Sequence, residues 1–289
     1  MKIISTKFLF IVLFYSIAWS QSEYQILNLP ENLFQLSSNN GFSSLTNYHS
    51  TSNPAALKTN KNQSYNFINY PAGIKFFNFR INNVSISILN YGDFEDKVDD
   101  IVNKRFDANE LLAKYYYNKK LSNNFRIGFS LGAYYSQIYQ YDAYGIMTSI
   151  GFNKIFQKIN LSLGFSIENL GSILKNYTNT EVSLPSNYSF NLCYKFKNIS
   201  LGYKFIDYLN DNYNEHVLSG QFKINQTVFL QIATSSNRKN LVIDNNYKYL
   251  YGMSCGIGFN INNFEINLGI KNLGISGSAF GISINKEIN

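Results

Sequence analysis

The chain is poor in the residues that build most catalytic and metal centres. Its 289 residues include two His, two Cys and one Trp. His49 and His216, with no Cys or second His beside either, cannot form a multi-histidine metal site. No Gly-x-Ser-x-Gly elbow, phosphate loop or metalloprotease motif occurs. The sequence therefore offers no catalytic residue, no cofactor-binding residue and no metal ligand, and the expectation is a protein that is not an enzyme. Four Pro and 18 Gly exclude collagen-like and proline-rich classes. Charge is scarce too: 15% of residues are charged, against roughly 25% in ordinary soluble domains. The net charge of +7 is mild, and its Lys and Arg are scattered rather than striped, which argues against a nucleic-acid partner. Beyond the first twenty residues no apolar run is long enough for a membrane-spanning helix.

What is present begins with a targeting signal. Lys2 and Lys7 form a basic end, Phe8 to Ala18 a short apolar core, and Ala18-Trp19-Ser20 a small-residue site. Residues 1–20 read as a signal peptide cleaved before Gln21, and the protein as exported. Aromatics make up 17% of the chain, with 23 Tyr and 24 Phe, far too many for a disordered polymer. An exported chain that is aromatic-rich, charge-poor and without a spanning helix is a secreted β protein or an outer-membrane β-barrel.

Alternation with period two dominates the remainder. Ile159, Leu161, Leu163, Phe165 and Ile167 alternate with Asn160, Ser162, Gly164, Ser166 and Glu168; Phe264 to Lys271 and Tyr249 to Ile261 repeat the pattern. Successive strand side chains point to opposite faces, so each segment has one greasy face and one small, polar face. About fourteen strands are expected, near 64–70, 72–81, 83–91, 107–118, 124–137, 143–155, 159–169, 187–196, 198–207, 215–224, 227–235, 247–260, 263–272 and 276–284. Short Asn-rich links such as Asn123-Asn124 and Asn262-Asn263 suit tight turns, because Asn tolerates positive φ. Longer polar links fall near 92–106, 170–186, 208–214 and 236–246, and short turns alternating with long loops are the sidedness of an outer-membrane barrel. A water-soluble sandwich would turn a strongly charged face outward. Here the polar face is small and weakly charged, which fits a crowded barrel interior. The expected fold is all-β: an antiparallel outer-membrane barrel of about 14 strands over residues 64–289, in the outer membrane of a Gram-negative bacterium. Tyr115, Tyr117, Tyr135, Tyr144, Tyr188, Tyr203 and Tyr251 are candidates for its interfacial girdles.

Residues 21–63, rich in Ser and Asn, break the rhythm and read as a plug or cap segment. Within it Asn53, Pro54 and Ala55 are expected to hold the segment by turn geometry. The acidic run 93–100 lacks calcium-loop spacing and reads as a solvated loop. Cys193 falls on the polar face and Cys255 on the apolar one, so a disulfide between them is not expected. The Asn-x-Ser/Thr triplets at 62, 83, 160, 176, 187, 198 and 225 are chance products of composition, placed where turns need Asn.

Several stretches carry a resemblance. Tyr24 to Pro30, Asn53-Pro54-Ala55-Ala56-Leu57, Leu89 to Phe94, Tyr135 to Ile138, Tyr141 to Gly145, Asn169-Leu170-Gly171 with Tyr177 and Leu184-Pro185, and the hairpins of 247–284 occur in the order seen in the PorV/PorQ family of the Bacteroidetes type IX secretion system. The chain resembles the PorQ-type members more than the PorV-type, and the family is similar in fold to FadL-type transporters. The chain departs from it at 35–41 and lacks a terminal aromatic residue. The resemblance implies a non-catalytic barrel, embedded in membrane lipid, that anchors an exported surface protein (PorZ-like) of the attachment complex. The alternatives are a FadL-like transporter of hydrophobic solutes, with a hydrophobic ligand, and a PorV-like cargo shuttle.

Overall fold

A computed structural model describes residues 24–98, 101–210, 213–241 and 249–288 of the chain. The signal peptide expected at 1–20 lies outside the described residues. Fourteen strands among them close into one antiparallel barrel: β1 (Asn62–Asn69), β2 (Lys75–Ile81), β3 (Val84–Val98), β4 (Ile101–Ser122), β5 (Phe125–Ile138), β6 (Tyr141–Phe156), β7 (Leu161–Lys175), β8 (Asn187–Phe196), β9 (Ile199–Tyr208), β10 (Tyr213–Lys223), β11 (Val228–Ser235), β12 (Ser254–Ile261), β13 (Phe264–Asn272) and β14 (Ser278–Glu287). Each strand pairs with its sequence neighbours, and β1 with β14 closes the ring from Asn62↔Glu287 to Asn69↔Phe280. Closure removes every sheet edge, the condition for a sheet to cross hydrocarbon.

The alternation sorts as expected. Leu131, Ile146, Leu201 and Leu218 stand outward, more than half exposed, while Ser87, Ser149, Asn191 and Ser283 are buried in the lumen. Large apolar side chains facing out and small polar ones facing in is the reverse of a water-soluble protein, and it identifies an outer-membrane barrel. At one end the hairpins are tight, with positive φ at Asn82, Asn160 and Asn262, and at Lys197. The chain leaves the barrel at this end too, where Ile288 N donates to Lys61 O at 2.8 Å. The longer connections lie at the other end.

Three expectations need correction. The span 92–106 is not a loop. β3 runs on to Val98 and β4 starts at Ile101, paired from Asp93↔Asp107 to Val98↔Ile101 with register shifts after Asn90 and after Asp96. Cross-strand pairing overrides the acidity: Phe94 stacks on Phe106 with centroids 5.4 Å apart, and Arg105 Nη2 meets Glu95 Oε1 at 2.9 Å. This hairpin outreaches both neighbours, because β2 stops at Lys75↔Asn90 and β5 at Ile138↔Ala108. Of the strand expected over 247–260, residues 247–248 lie outside the described residues, Tyr249 to Gly252 form a turn, with Gly252 at φ +71°, and β12 begins at Ser254. Tyr251 is consequently buried and not a girdle residue, whereas Tyr115, Tyr117, Tyr135 and Tyr144 do face outward. Finally, the link expected at 170–186 is shorter, since β7 continues to Lys175.

Candidate functional site

Residues 24–61 run through the lumen from the long-loop end to the tight-turn end, so the candidate site is the interior itself. The segment is organised around one short helix, α1 (Leu33–Ser37), all of it buried. Asn32 caps it: its Oδ1 accepts from Gln35 N at 2.9 Å, while Gln35 Oε1 accepts from Glu31 N at 2.9 Å. The first bond satisfies one orphan donor of a helix too short to be stable alone, and the second ties down the residue that precedes its cap. Gln35 Nε2 then donates to Thr51 Oγ1 at 2.8 Å and Asn32 Nδ2 to His49 O at 3.1 Å, folding the segment back on itself.

The inward-facing side chains of the wall hold this fold at many points. Ser254 Oγ donates to Ser37 O at 2.9 Å, Ser219 Oγ to Ser38 O at 2.6 Å and Asn191 Nδ2 to Gly41 O at 2.8 Å. Arg80 Nη2 donates to Tyr48 O at 2.5 Å and to Asn62 Oδ1 at 2.9 Å. His49 Nε2 lies 2.7 Å from Glu265 Oε1, with its ring stacked on Phe34 at 4.5 Å. Tyr48 OH donates to Glu287 Oε1 at 2.9 Å. Burial, then the Glu287 carboxylate, push the Tyr48 hydroxyl up to about 12, so it remains a donor at neutral pH.

The three residues singled out in the sequence sit together at one seat. Asn53 Oδ1 accepts from Ala55 N at 3.1 Å, an Asx turn, and Asn53 Nδ2 donates to Phe152 O at 3.2 Å. Beneath them lies the cross-strand pair Gly128↔Gly151 of β5 and β6. A Cβ at Gly128 would come within 2.4 Å of the Pro54 carbonyl carbon, and one at Gly151 within 2.2 Å of Asn53 Oδ1. The wall is bare at this point, and the segment's backbone rests directly on it.

Charged groups missed in the sequence line a cavity of about 130 Å³ on the long-loop side: Glu31, Lys114, Glu168, Lys204, Glu215 and Lys271. Lys114 Nζ meets Glu31 Oε1 at 2.8 Å, and the buried Tyr116 hydroxyl donates to both Glu31 oxygens at 3.0 and 2.9 Å. Lys204, almost fully buried, lies 3.5 Å from Glu168 Oε1. Three acids against three bases leave the cavity neutral, and its volume is well below the roughly 300–1,000 Å³ typical of small-molecule pockets. Strand parity carried the missing signal: Lys114, Glu168, Lys204, Glu215 and Lys271 all fall on polar faces. Beside this polar half lies an apolar layer that includes Leu27, Tyr70, Phe76, Met147 and Leu184. In it Tyr24 packs on Tyr134 at 4.8 Å and on Tyr177 at 6.1 Å. Of the two His, His216 faces outward against Tyr203 OH at 2.8 Å, far from His49 along the chain and on the opposite face of the wall. Cys193 is buried and Cys255 exposed, and both are free.

No protein-family model matches the chain, and no curated protein matches it. Solved structures do. The chain is similar to the Ralstonia pickettii toluene transporter TbuX, at 10% identity over 90% of this chain and 99% of that one, with a TM-score of 0.55. A TodX deltaS2S3 mutant monoaromatic hydrocarbon channel matches at 12% identity over 89% and 99%, TM-score 0.53. A Pseudomonas aeruginosa FadL homologue matches at 10% identity over 89% and 98%, TM-score 0.50. At such identities the likeness shows the fold, a FadL-like outer-membrane barrel.

Proposed function

We propose that the protein is an outer-membrane channel for small hydrophobic solutes, with residues 24–61 as the plug that keeps it closed. The observation that carries this reading is the FadL-like fold, matched along nine-tenths of the chain by barrels named as toluene and monoaromatic hydrocarbon carriers. The lumen agrees with it. Tyr24, Tyr134 and Tyr177 border an apolar layer at the long-loop end, while the polar half is locked by the Glu31–Lys114 pair. In this reading the solute partitions onto the aromatic layer, and passage requires displacement of the segment. Asn53, Pro54 and Ala55 are the part of the plug that rests on the wall, seated on Gly128 and Gly151. The test is uptake of radiolabelled toluene by cells producing the full chain. Uptake above that of cells lacking the chain, by the full chain or by the Glu31→Ala variant that frees the segment, supports the channel; uptake equal to it in both rejects the channel.

A second reading, an anchoring barrel of the PorV/PorQ type holding a PorZ-like exported partner, is favoured by one observation. The β3–β4 hairpin extends past both neighbours and carries the stacked Phe94 and Phe106 rings beyond the wall, with Tyr139 of the β5–β6 turn edge-on against Phe106. A mild-detergent pull-down from native outer membranes, read for proteins and for small molecules, separates the two. A stoichiometric large exported protein supports the anchor, and a barrel recovered alone with a hydrophobic small molecule supports the channel.

A further inference from the structure

On the outer wall, away from the lumen, β9 to β14 form an apolar groove of about 810 Å³. Its floor is backbone. Gln221, Gln231, Gly256, Gly269 and Gly281 stand side by side in register across five strands, with their Cα–Cβ directions turned inward. Its banks are two rows of outward positions. One runs Phe222, Leu230, Ile257, Leu268; the other runs Ile232, Cys255, Ile270, Phe280, and opens at the bare Gly220.

The dent has a cause inside the barrel. The pair Gly256↔Gly269 lies directly over Ser37 of α1. A Cβ at Gly256 would fall 2.3 Å from Ser37 Oγ, and one at Gly269 2.2 Å from the same atom. Real Cβ atoms would hold the wall away from the helix. Two glycines let it close in, and a wall drawn inward is concave outside.

We infer that this groove is a binding site for the acyl chain of a membrane lipid. It is continuous with the lipid-facing belt of the barrel, so hydrocarbon is the medium that meets it. None of the residues lining it is charged, so it offers nothing to a headgroup or a charged peptide, and an uncharged chain matches it. Its volume lies within the roughly 300–1,000 Å³ of small-ligand sites. A second copy of the chain is a poor occupant, because a two-fold contact places the same patch on both sides, and two concave faces leave a void between them. The inference is independent of what passes through the lumen.

The test uses the full barrel in phosphatidylcholine vesicles containing a tracer phospholipid with a diazirine in its acyl chain. After irradiation, peptides are mapped by mass spectrometry. Adducts on Leu230, Ile257, Leu268 and Ile270 are expected to exceed those on the outward and more exposed Leu131 and Ile146, away from the groove, by about fivefold, which corresponds to roughly 1 kcal/mol of retention. The variant Gly220→Leu with Cys255→Phe fills the groove without touching the lumen; a Cβ at Gly220 meets nothing closer than 3.6 Å. It should return the ratio to unity while the barrel keeps its heat-modifiable migration. Equal labelling all round the unmodified barrel would overturn the inference, as would protein–protein crosslinks through the groove in place of lipid adducts.

Discussion

Removing the Glu31 carboxylate is the most informative single perturbation of the lumen. In Glu31→Ala the Lys114 ammonium, 13% exposed at its side chain, loses its counter-charge, and the buried Tyr116 hydroxyl loses both of its acceptors. Breaking a buried pair by deleting one partner costs about 3–5 kcal/mol. The lower end applies here because the pair borders a polar cavity. A loss of about 3 kcal/mol shifts the docking equilibrium of residues 24–61 by roughly a hundredfold. The assay is chymotrypsin cleavage after Phe34 or Phe42, both buried in the docked segment. When opening and closing outpace cleavage, the rate follows the population of the open form. Deleting Lys114 as well removes the stranded ammonium and leaves only the hydroxyl unsatisfied, a penalty of about 1–3 kcal/mol. The double variant should therefore be cleaved roughly tenfold faster than the unmodified chain but more slowly than Glu31→Ala alone, the opposite of additive losses. Cleavage of Glu31→Ala within twofold of the unmodified chain, or simple additivity in the double variant, would refute the reasoning.

Other positions extend the test. Gly151→Leu forces a side chain into Asn53 and Ala55 and should weaken docking by about 1–3 kcal/mol in the same cleavage assay. Asn53→Ala loses the Asx turn and the bond to Phe152 O and should cost about 1–2 kcal/mol; urea-dependent cleavage rates measure it. Phe106→Ala should loosen the protruding hairpin by about 1 kcal/mol, read as faster tryptic cleavage after Arg105 with no change after Phe34.

The barrel was legible because its dominant force is written with period two. From Leu161 to Glu168 each apolar residue faces lipid and each small or polar one faces the lumen, and the Asn-Asn links mark the tight end. Misreadings arose where local chemistry imitates another element. The acidic run after Gly92 looks like a solvated loop, yet Phe94 and Phe106, twelve residues apart, zip it into a hairpin. Tyr249, Tyr251 and Met253 alternate like a strand, but Gly252 adopts φ +71° and its N–H donates to Asn272 O, so the chain turns. α1 was invisible because five residues span too little of a helical period to show one. For the lumen, parity could place Lys114 and Lys204 inside. It could not pair Lys114 with Glu31, which lies 83 residues away in a segment whose path is set by the wall. The seat at Asn53-Pro54-Ala55 was half legible: the Asx turn belongs to the sequence, whereas Gly128 and Gly151 meet only when β5 and β6 pair.

The proposed closed channel is tested most directly by the initial rate of radiolabelled toluene uptake in cells producing the unmodified chain, Glu31→Ala, or Glu31→Ala with Lys114→Ala, each confirmed as a folded barrel by heat-modifiable migration. A plug gating the passage predicts uptake in the order of segment release, fastest for Glu31→Ala, intermediate for the double variant and slowest for the unmodified chain. Identical rates in all three, at the level of cells lacking the barrel, would contradict it.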